Sequence, residues 1–550
     1  MTDKTQFYTQ RLESLRSRRG HWDTQWEESA ARVIPAHRDS FLSQGANNAF
    51  GMGGEKKTEL QYDSTAAIAC QRFASVIESL STPQSGIWHR LTPADKTLKR
   101  NRRVRLFFDE LNEVLFSYRY RPVANFVGQS QQVYLGLGAY GNGALFIDQP
   151  ERTRGLRYRN IHIGEAYFVE NHAGIVDTLY RAFYLTARQI VQEYGDAASD
   201  QVKAMAANAM QAETKFEILH CVHPREDYNP QRVDSLGKQF ASIHMEVSSK
   251  TWLREGGFDV FPYGVTRYSQ ASGEEYGRGP AQWVLPAIKV LNDEKKTMLV
   301  QGHRTVDPIL LYHDDGVLGG NFKVRAGKSI AGGVNADGKL LVQTLPVGNI
   351  AAGEELMEME RRVINDAFLI TLFQILVDTP AMTATEVLER AREKGMLVAP
   401  TAGRLQAEFL GPMIERELQL LASQGLLPEM PPILRDSPEA MEYKIEYDSP
   451  MSRMQRAEKA SGFMRALDVA ANYAKNTQDI SPLDWFNFDN AMPEILDIHG
   501  APTSWTRSLE EVIATREQRA EQQQQQQMVE AAPAIAGMMK NNPGMAKPQE

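Results

Sequence analysis

Cysteine is nearly absent from this chain, with two in 550 residues. That is too few for a disulfide framework or a thiolate metal cluster. Long apolar runs are missing as well. The longest, FLITLFQILV at 368–377, has ten residues and includes Gln374. A bilayer needs ~20, so this run reads as a buried helix. The N-terminus, MTDKTQFYTQRLESLR, lacks the apolar core of a signal peptide. There is no basic excess either: the formal net charge is −8, without the overall footprint of a tight nucleic-acid binder. No GxSxG elbow and no HExxH helix occurs. What is present is an ordered composition, 42% hydrophobic and 24% charged. The expectation is a soluble, cytosolic chain of several segments.

Three short patterns hint at chemistry and fail on spacing. In GGNFKVRAGKSI, Gly320 and Gly327 enclose six residues, where a phosphate-binding loop needs four, and no helix follows. His220, Cys221 and His223 lie on a predicted strand, where neighbours point to opposite faces and cannot share one ion. Asp314-Asp315-Gly316 reads as a turn. The sequence therefore predicts no enzyme active site, no metal and no cofactor.

The periodicities predict an α+β chain. A helix over 5–34 carries Leu12, Leu15, Trp22, Trp26 and Val33, and Pro35 ends it. Asp63-Ser64 caps a helix over 65–82 with an inner face of Ile68, Phe73, Ile77 and Leu80. Helices near 101–118 and 122–137 precede strands from 141 to 182, and 186–195 returns to helix. The stretch 196–213 is a surface helix or loop, and FEILHCVH, ASIHMEV and TWLREGG alternate as half-buried strands do. Pro280 opens a long helix to about Gln301, kinked or restarted at Pro286. A second long helix, 351–377, sets Leu356, Met359, Val363, Ala367 and Ile370 or Phe373 on one face. Between the two, residues 304–348 hold eight glycines and the turn chemistry of small hairpins. A helix over 382–395, the loop 396–403, and a helix over 404–421 kinked at Gly411-Pro412 follow. Ser449-Pro450 begins another helix to about Lys475. Six glutamines (522–527) open a tail expected to be disordered.

Six of these stretches, in the same order, resemble the portal, or head-to-tail connector, proteins of short-tailed bacteriophages. They are 62–93, GNGALFID (141–148), 174–195, YGRGPAQWVLPAIKVLN (276–292), TATEVLERAREKG (383–395) and 404–421. The resemblance implies a dodecameric ring at one capsid vertex, with a channel through which double-stranded DNA is packaged and ejected. It divides the chain into a wing (1–277), a first stem helix (278–303), a clip (304–348) and a second stem helix (349–377). A channel loop, kinked helix and return to the wing (378–475), a crown (476–520) and the tail (521–550) complete it. Candidate channel cations are Lys289, Lys296, Arg390, Arg392, Lys394 and Arg404, with the channel loop at 377–383 or 396–403. Candidate docking residues on the clip are Tyr312, His313, Asp314, Asp315, Lys323, Arg325 and Lys328. The implied partners are further copies of the chain, the terminase large subunit, tail and adaptor proteins, and capsid and scaffolding proteins, with no membrane. The implied place is the virion, and the host cytoplasm during assembly. A tail adaptor or internal virion protein is the alternative, and a packaging enzyme a further one.

Overall fold

The computed structural model describes residues 2–41, 56–84, 86–95, 98–151, 153–312, 327, 329, 332–346, 350–371, 401, 403–435, 442–447, 450–477, 479, 481–498 and 511–522. The predicted helix at 382–395, the loop 396–403 apart from 401 and 403, and the tail beyond 522 lie outside them. The chain forms two compact units, one of residues 1–85 and 117–426, the other of 86–116 and 427–550.

The first unit begins with α1 (Thr2–Val33) and α2 (Thr65–Ser81). Asp63 starts α2 by accepting the Thr65 N–H at 2.8 Å. The buried face of α2 is Ala66, Ala69, Cys70, Phe73, Ala74 and Ile77. Ile68, expected on that face, is exposed, because the small residues rather than the branched one pack inward. The chain then passes into the second unit with β1 (His89–Pro93) and most of α3 (Arg102–Arg119), and returns with α4 (Phe126–Tyr140).

Two antiparallel sheets follow. β2 (Asn142–Asp148), β3 (Arg157–Ile161) and β9 (Tyr263–Arg267) form one, in the order β3-β2-β9. β4 (Ala166–Glu170), β5 (Val176–Thr186), β6 (Lys215–Pro224), β7 (Phe240–Glu246) and β8 (Thr251–Phe258) form the other, in chain order. Leu12 and Leu15 of α1 pack on Tyr167, Leu219, Cys221 and Ile243 on one face of the larger sheet. On the other face Phe216, Ile218 and Leu253 meet α5 (Ala187–Tyr194) and α6 (Asp200–Ala207). Adjacent residues of a strand point to opposite faces, so β6, expected half-buried, is buried on both. A Thr186–Gln189 capping box starts α5.

Next come α7 (Pro280–Trp283) and α8 (Leu285–Val306), the break falling just before Pro286. β10 (Leu310–Tyr312) pairs antiparallel with β11 (Val342–Thr344), and α9 (Ile350–Ala367) follows. The predicted kink at Gly411-Pro412 takes a definite form. Leu405–Leu410 is a wide π turn running into α10 (Gly411–Ser423), with the Gly411 N–H bonded to Gln406 O, five residues back. Pro412 has no N–H and its ring crowds the carbonyl four residues earlier; the widened turn relieves both. α10 is held by a fully buried ion pair, Arg119–Glu417, at 3.1 and 2.5 Å, with Tyr158 donating to the same carboxylate at 2.5 Å.

In the second unit β1 pairs antiparallel with β12 (Tyr443–Tyr447), a strand absent from the sequence analysis. Asn112 of α3 both accepts from and donates to the Leu91 backbone, at 2.8 and 3.2 Å. After α11 (Pro432–Arg435), α12 (Pro450–Thr477) places Phe463 edge-on to Phe486 at 5.5 Å and against Phe488 of α13 (Phe488–Ile498).

Candidate functional site

α8 and α9 form an antiparallel hairpin whose register three contacts define. At its base, Asn292 of α8 accepts the backbone N–H of Tyr62 and Asp63, at 2.8 and 3.1 Å. Arg361 of α9 donates to the same Asp63 at 2.8 Å. Burial alone would raise the Asp63 carboxyl, but hydrogen bonds from Thr65 and Arg361 outweigh it and hold it below the usual range. Two residues on, Glu294 titrates above the usual range through burial and the nearby charge of Glu360. Further out Gly353 lets α9 approach Met298 so closely that a Cβ at 353 would lie 2.5 Å from its Sδ. Positions 292, 294 and 298 thus lie level with 361, 360 and 353, and the same register brings His303 of α8 level with Ile350 at the start of α9. At 1.5 Å per residue the 22 residues of α8 span ~33 Å. The β10–β11 ribbon closes the far end, with Leu345 N–H bonded to Ile309 O at 2.9 Å.

The expected apolar face of α9 exists but is not buried. Leu356, Met359 and Val363 are 54%, 53% and 48% exposed, while Met357, Ile364 and Phe368 point inward. The inward residues follow the α8 contact at Gly353, whereas Leu356, Met359 and Val363 run along the adjacent stripe. The apolar end of the helix does enter packed protein, as Phe368 and Ile370 are buried.

Of the candidate cations, Lys289 is ion-paired with Glu28 of α1. Lys296 lies 5.6 Å over the Tyr62 ring. Arg404 sits 4.0 Å from Glu408, which is itself bonded to the buried Arg267. Arg390, Arg392 and Lys394 lie outside the described residues. Of the docking candidates, Tyr312 is on β10 and exposed. His313, Asp314, Asp315, Lys323, Arg325 and Lys328 lie outside the described residues. The anchoring roles of Asp63, Asn292 and Arg361 escaped the sequence analysis because their partners lie about 230 and 300 residues apart in sequence. Gly353 was the one local signal, a helix-weakening residue inside a helix.

The histidine pattern does not converge. His220 hydrogen-bonds Ser242 and Tyr263 at 3.0 and 2.9 Å, His223 bonds Tyr8 at 2.9 Å, and Cys221 lies in the core on the opposite face. Burial pushes the Cys221 thiol up, away from the reactive range. Among the described residues no group of His, Cys, Asp or Glu could hold a metal ion, and no helix is long and apolar enough to cross a membrane.

The chain is 26% identical over 541 residues to a portal protein of Salmonella phage epsilon15, covering 94% of this chain and 92% of that one. It is 25% identical over 524 residues to a probable portal protein of Bordetella phage BPP-1, covering 92% and 89%. A family model described as bacteriophage head to tail connecting protein matches residues 5–506, and on that match the chain belongs to the head-to-tail connector family of bacteriophages.

Proposed function

We propose that copies of this chain close into a ring, twelve by the family resemblance, at one vertex of the capsid. The ring is the conduit for double-stranded DNA during packaging and ejection. It is a structural part of the virion, assembled with capsid and scaffolding proteins in the host cytoplasm. The observation that carries this reading is the α8–α9 hairpin, ~33 Å long, anchored at one end by Asp63 and tipped at the other by a small β ribbon. On this reading α8 and α9 are the stem and residues 304–348 the clip, where the terminase large subunit and later the tail proteins dock. The ATP chemistry belongs to the terminase.

A net charge of −8 per chain, multiplied around a ring, repels DNA everywhere except at local rings of cations, so the duplex slides rather than sticks. Lys289 and Arg404 already have carboxylate partners, so they are the weaker of the described candidates for such a ring. Native mass spectrometry and electron microscopy of the purified protein test the proposal. Closed rings of about twelve copies support it. Only monomers or dimers at micromolar concentration overturn it.

A further inference from the structure

We infer that Arg159, Arg181 and Arg254 form a binding site for a phosphate anion, where β3 and α5 flank the larger sheet. The inference does not depend on ring formation. Arg159 stands on the edge strand β3, in line with Phe146 of β2 and Tyr263 of β9. Side chains in line across a sheet share a face. That face lies against the larger sheet, because Tyr263 hydrogen-bonds His220 at 2.9 Å and Phe146 meets the same ring edge-on at 5.9 Å. His220 in turn belongs to a row that crosses β5 to β8 as Arg181, His220, His244 and Arg254. Tyr194, the last residue of α5, hydrogen-bonds His244 at 2.8 Å, and the Arg254 guanidinium lies 5.4 Å from the centre of its ring. Burial raises the Tyr194 hydroxyl to about 12, against the opposing charges of Arg254, Arg181 and Arg159. Three strands of two sheets thus bring guanidiniums within electrostatic reach of one hydroxyl.

The carboxylates around these arginines leave one cation over. Asp148 takes Arg157 at 2.8 and 2.6 Å, Glu165 takes Arg181 at 2.9 Å, and Glu193 takes Arg254 at 3.1 Å. Glu151, mostly exposed, adds only to the Arg157 pair, at 3.8 Å. Arg159 has no ion pair or hydrogen bond among the described residues. Partial burial first, then the charge of Arg181, hold it below the usual arginine range, with Arg157 adding and Asp148 opposing. Its side chain is open to solvent, so an anion can reach it. Donors remain on its neighbours too: Glu165 engages Arg181 through Nε alone, and Glu193 engages Arg254 through Nη1 alone. A carboxylate has two oxygens and one charge. A phosphate has oxygens for several guanidiniums at once and close to two charges, which matches a surplus cation between two half-used ones.

The test titrates sodium phosphate into the full-length protein at pH 7 by isothermal calorimetry, with sodium chloride holding the ionic strength constant. One saturable phosphate per chain is the expected result. R159Q should weaken it roughly tenfold or more, the loss expected when hydrogen bonds to a charged group are removed. R232Q, which removes an exposed arginine between β6 and β7, should leave it unchanged. E193Q frees Arg254 from its carboxylate and should tighten binding roughly threefold. Glu193 is 43% exposed, so this variant reads the site without touching Arg159 or the core, and circular dichroism confirms that each variant folds. Sodium acetate in the same titration should bind far more weakly than phosphate. The inference is overturned by no saturable binding up to about 10 mM phosphate, by an R159Q protein that binds as the parent does, by E193Q without a gain, or by acetate binding equal to phosphate. The ring reading stands in each of those cases.

Discussion

His220 and His244 stack ring on ring, with centroids 4.1 Å apart, in the middle of a row that runs straight across β5, β6, β7 and β8. The outer members of the row are Arg181 and Arg254. Burial first, then the neighbouring His244, Arg181, Arg254 and Arg159, push His220 well below its usual pKa. Burial, Arg254 and Arg181 lower His244 to about 3. Tyr263 and Tyr194 hydrogen-bond the two rings at 2.9 and 2.8 Å. Both histidines are therefore neutral in the fold and titrate near pH 6.5 once unfolded. The unfolded chain binds the proton that the fold refuses, so this stability is present in full above about pH 6.5 and declines as pH falls towards 3. The loss is about 1.4 kcal/mol per pH unit for each such histidine, and His37 and His162, also lowered chiefly by burial, add with the same sign. Denaturant midpoints measured at pH 7, 6 and 5 should fall steadily. In H244Q the fall should be visibly shallower, and an unchanged slope would show that the row does not carry the effect.

Two motifs that the sequence shows as separate prove to be one element. Gly141 follows α4 with a φ of 72°, and a Cβ there would lie 2.3 Å from Gly279 N and 2.4 Å from Arg278 C. The Asn142 side chain accepts the Gly277 N–H at 2.8 Å and donates to Gly277 O at 2.9 Å. GNGALFID and YGRGPAQ thus lock face to face, and the lock fixes where α7 and α8 begin. Gly141→Ala is expected to cost about 3 kcal/mol or more, since backbone strain and a clash with immovable backbone add. Gly273→Ala isolates the strain: its φ is 82° but nothing lies within 4 Å, so it should cost about 1–2 kcal/mol. Equal losses in the two denaturation curves would refute the lock. Local signals such as Pro280, Pro286 and Gly411-Pro412 were legible because a few adjacent residues decide them. β12 was not, because its short YKIEY run has meaning only opposite β1, some 350 residues away. Burial of Ile68 was misjudged for a related reason. Periodicity identifies a stripe, but only the packing partner decides which stripe turns inward. The candidate site was legible as a helix, an insert and a helix, whereas the Asp63 anchor that holds it was not.

On the scale of the whole molecule, the proposed division of labour is that the hairpin builds the ring and the insert meets partners. The described part of the insert 304–348 is mostly exposed. Among its described residues Val306, Ile309, Leu311, Tyr312 and Leu345 are all at least 37% exposed. Among the described residues the ribbon has two strands of three residues, and a pair of that size makes too small a core to stabilise anything beyond itself. The register of the hairpin sets positions 303 and 350 level with each other on packed helices, ~8–10 Å apart. A short Gly/Ser linker therefore closes the gap with little entropy cost. Replacing 304–348 by such a linker keeps Asn292, Arg361, Met298 and Gly353, and with them the hairpin. The expected outcome is a protein that elutes as a ring on size-exclusion chromatography and assembles into capsids, yet supports no ATP-driven DNA packaging. The opposing possibility is that ribbons of neighbouring copies pair edge to edge and hold the ring closed. Elution of the linker variant as monomers would establish that pairing and move the source of ring stability from the helices to the insert. Rings that still package DNA would instead remove docking from this segment.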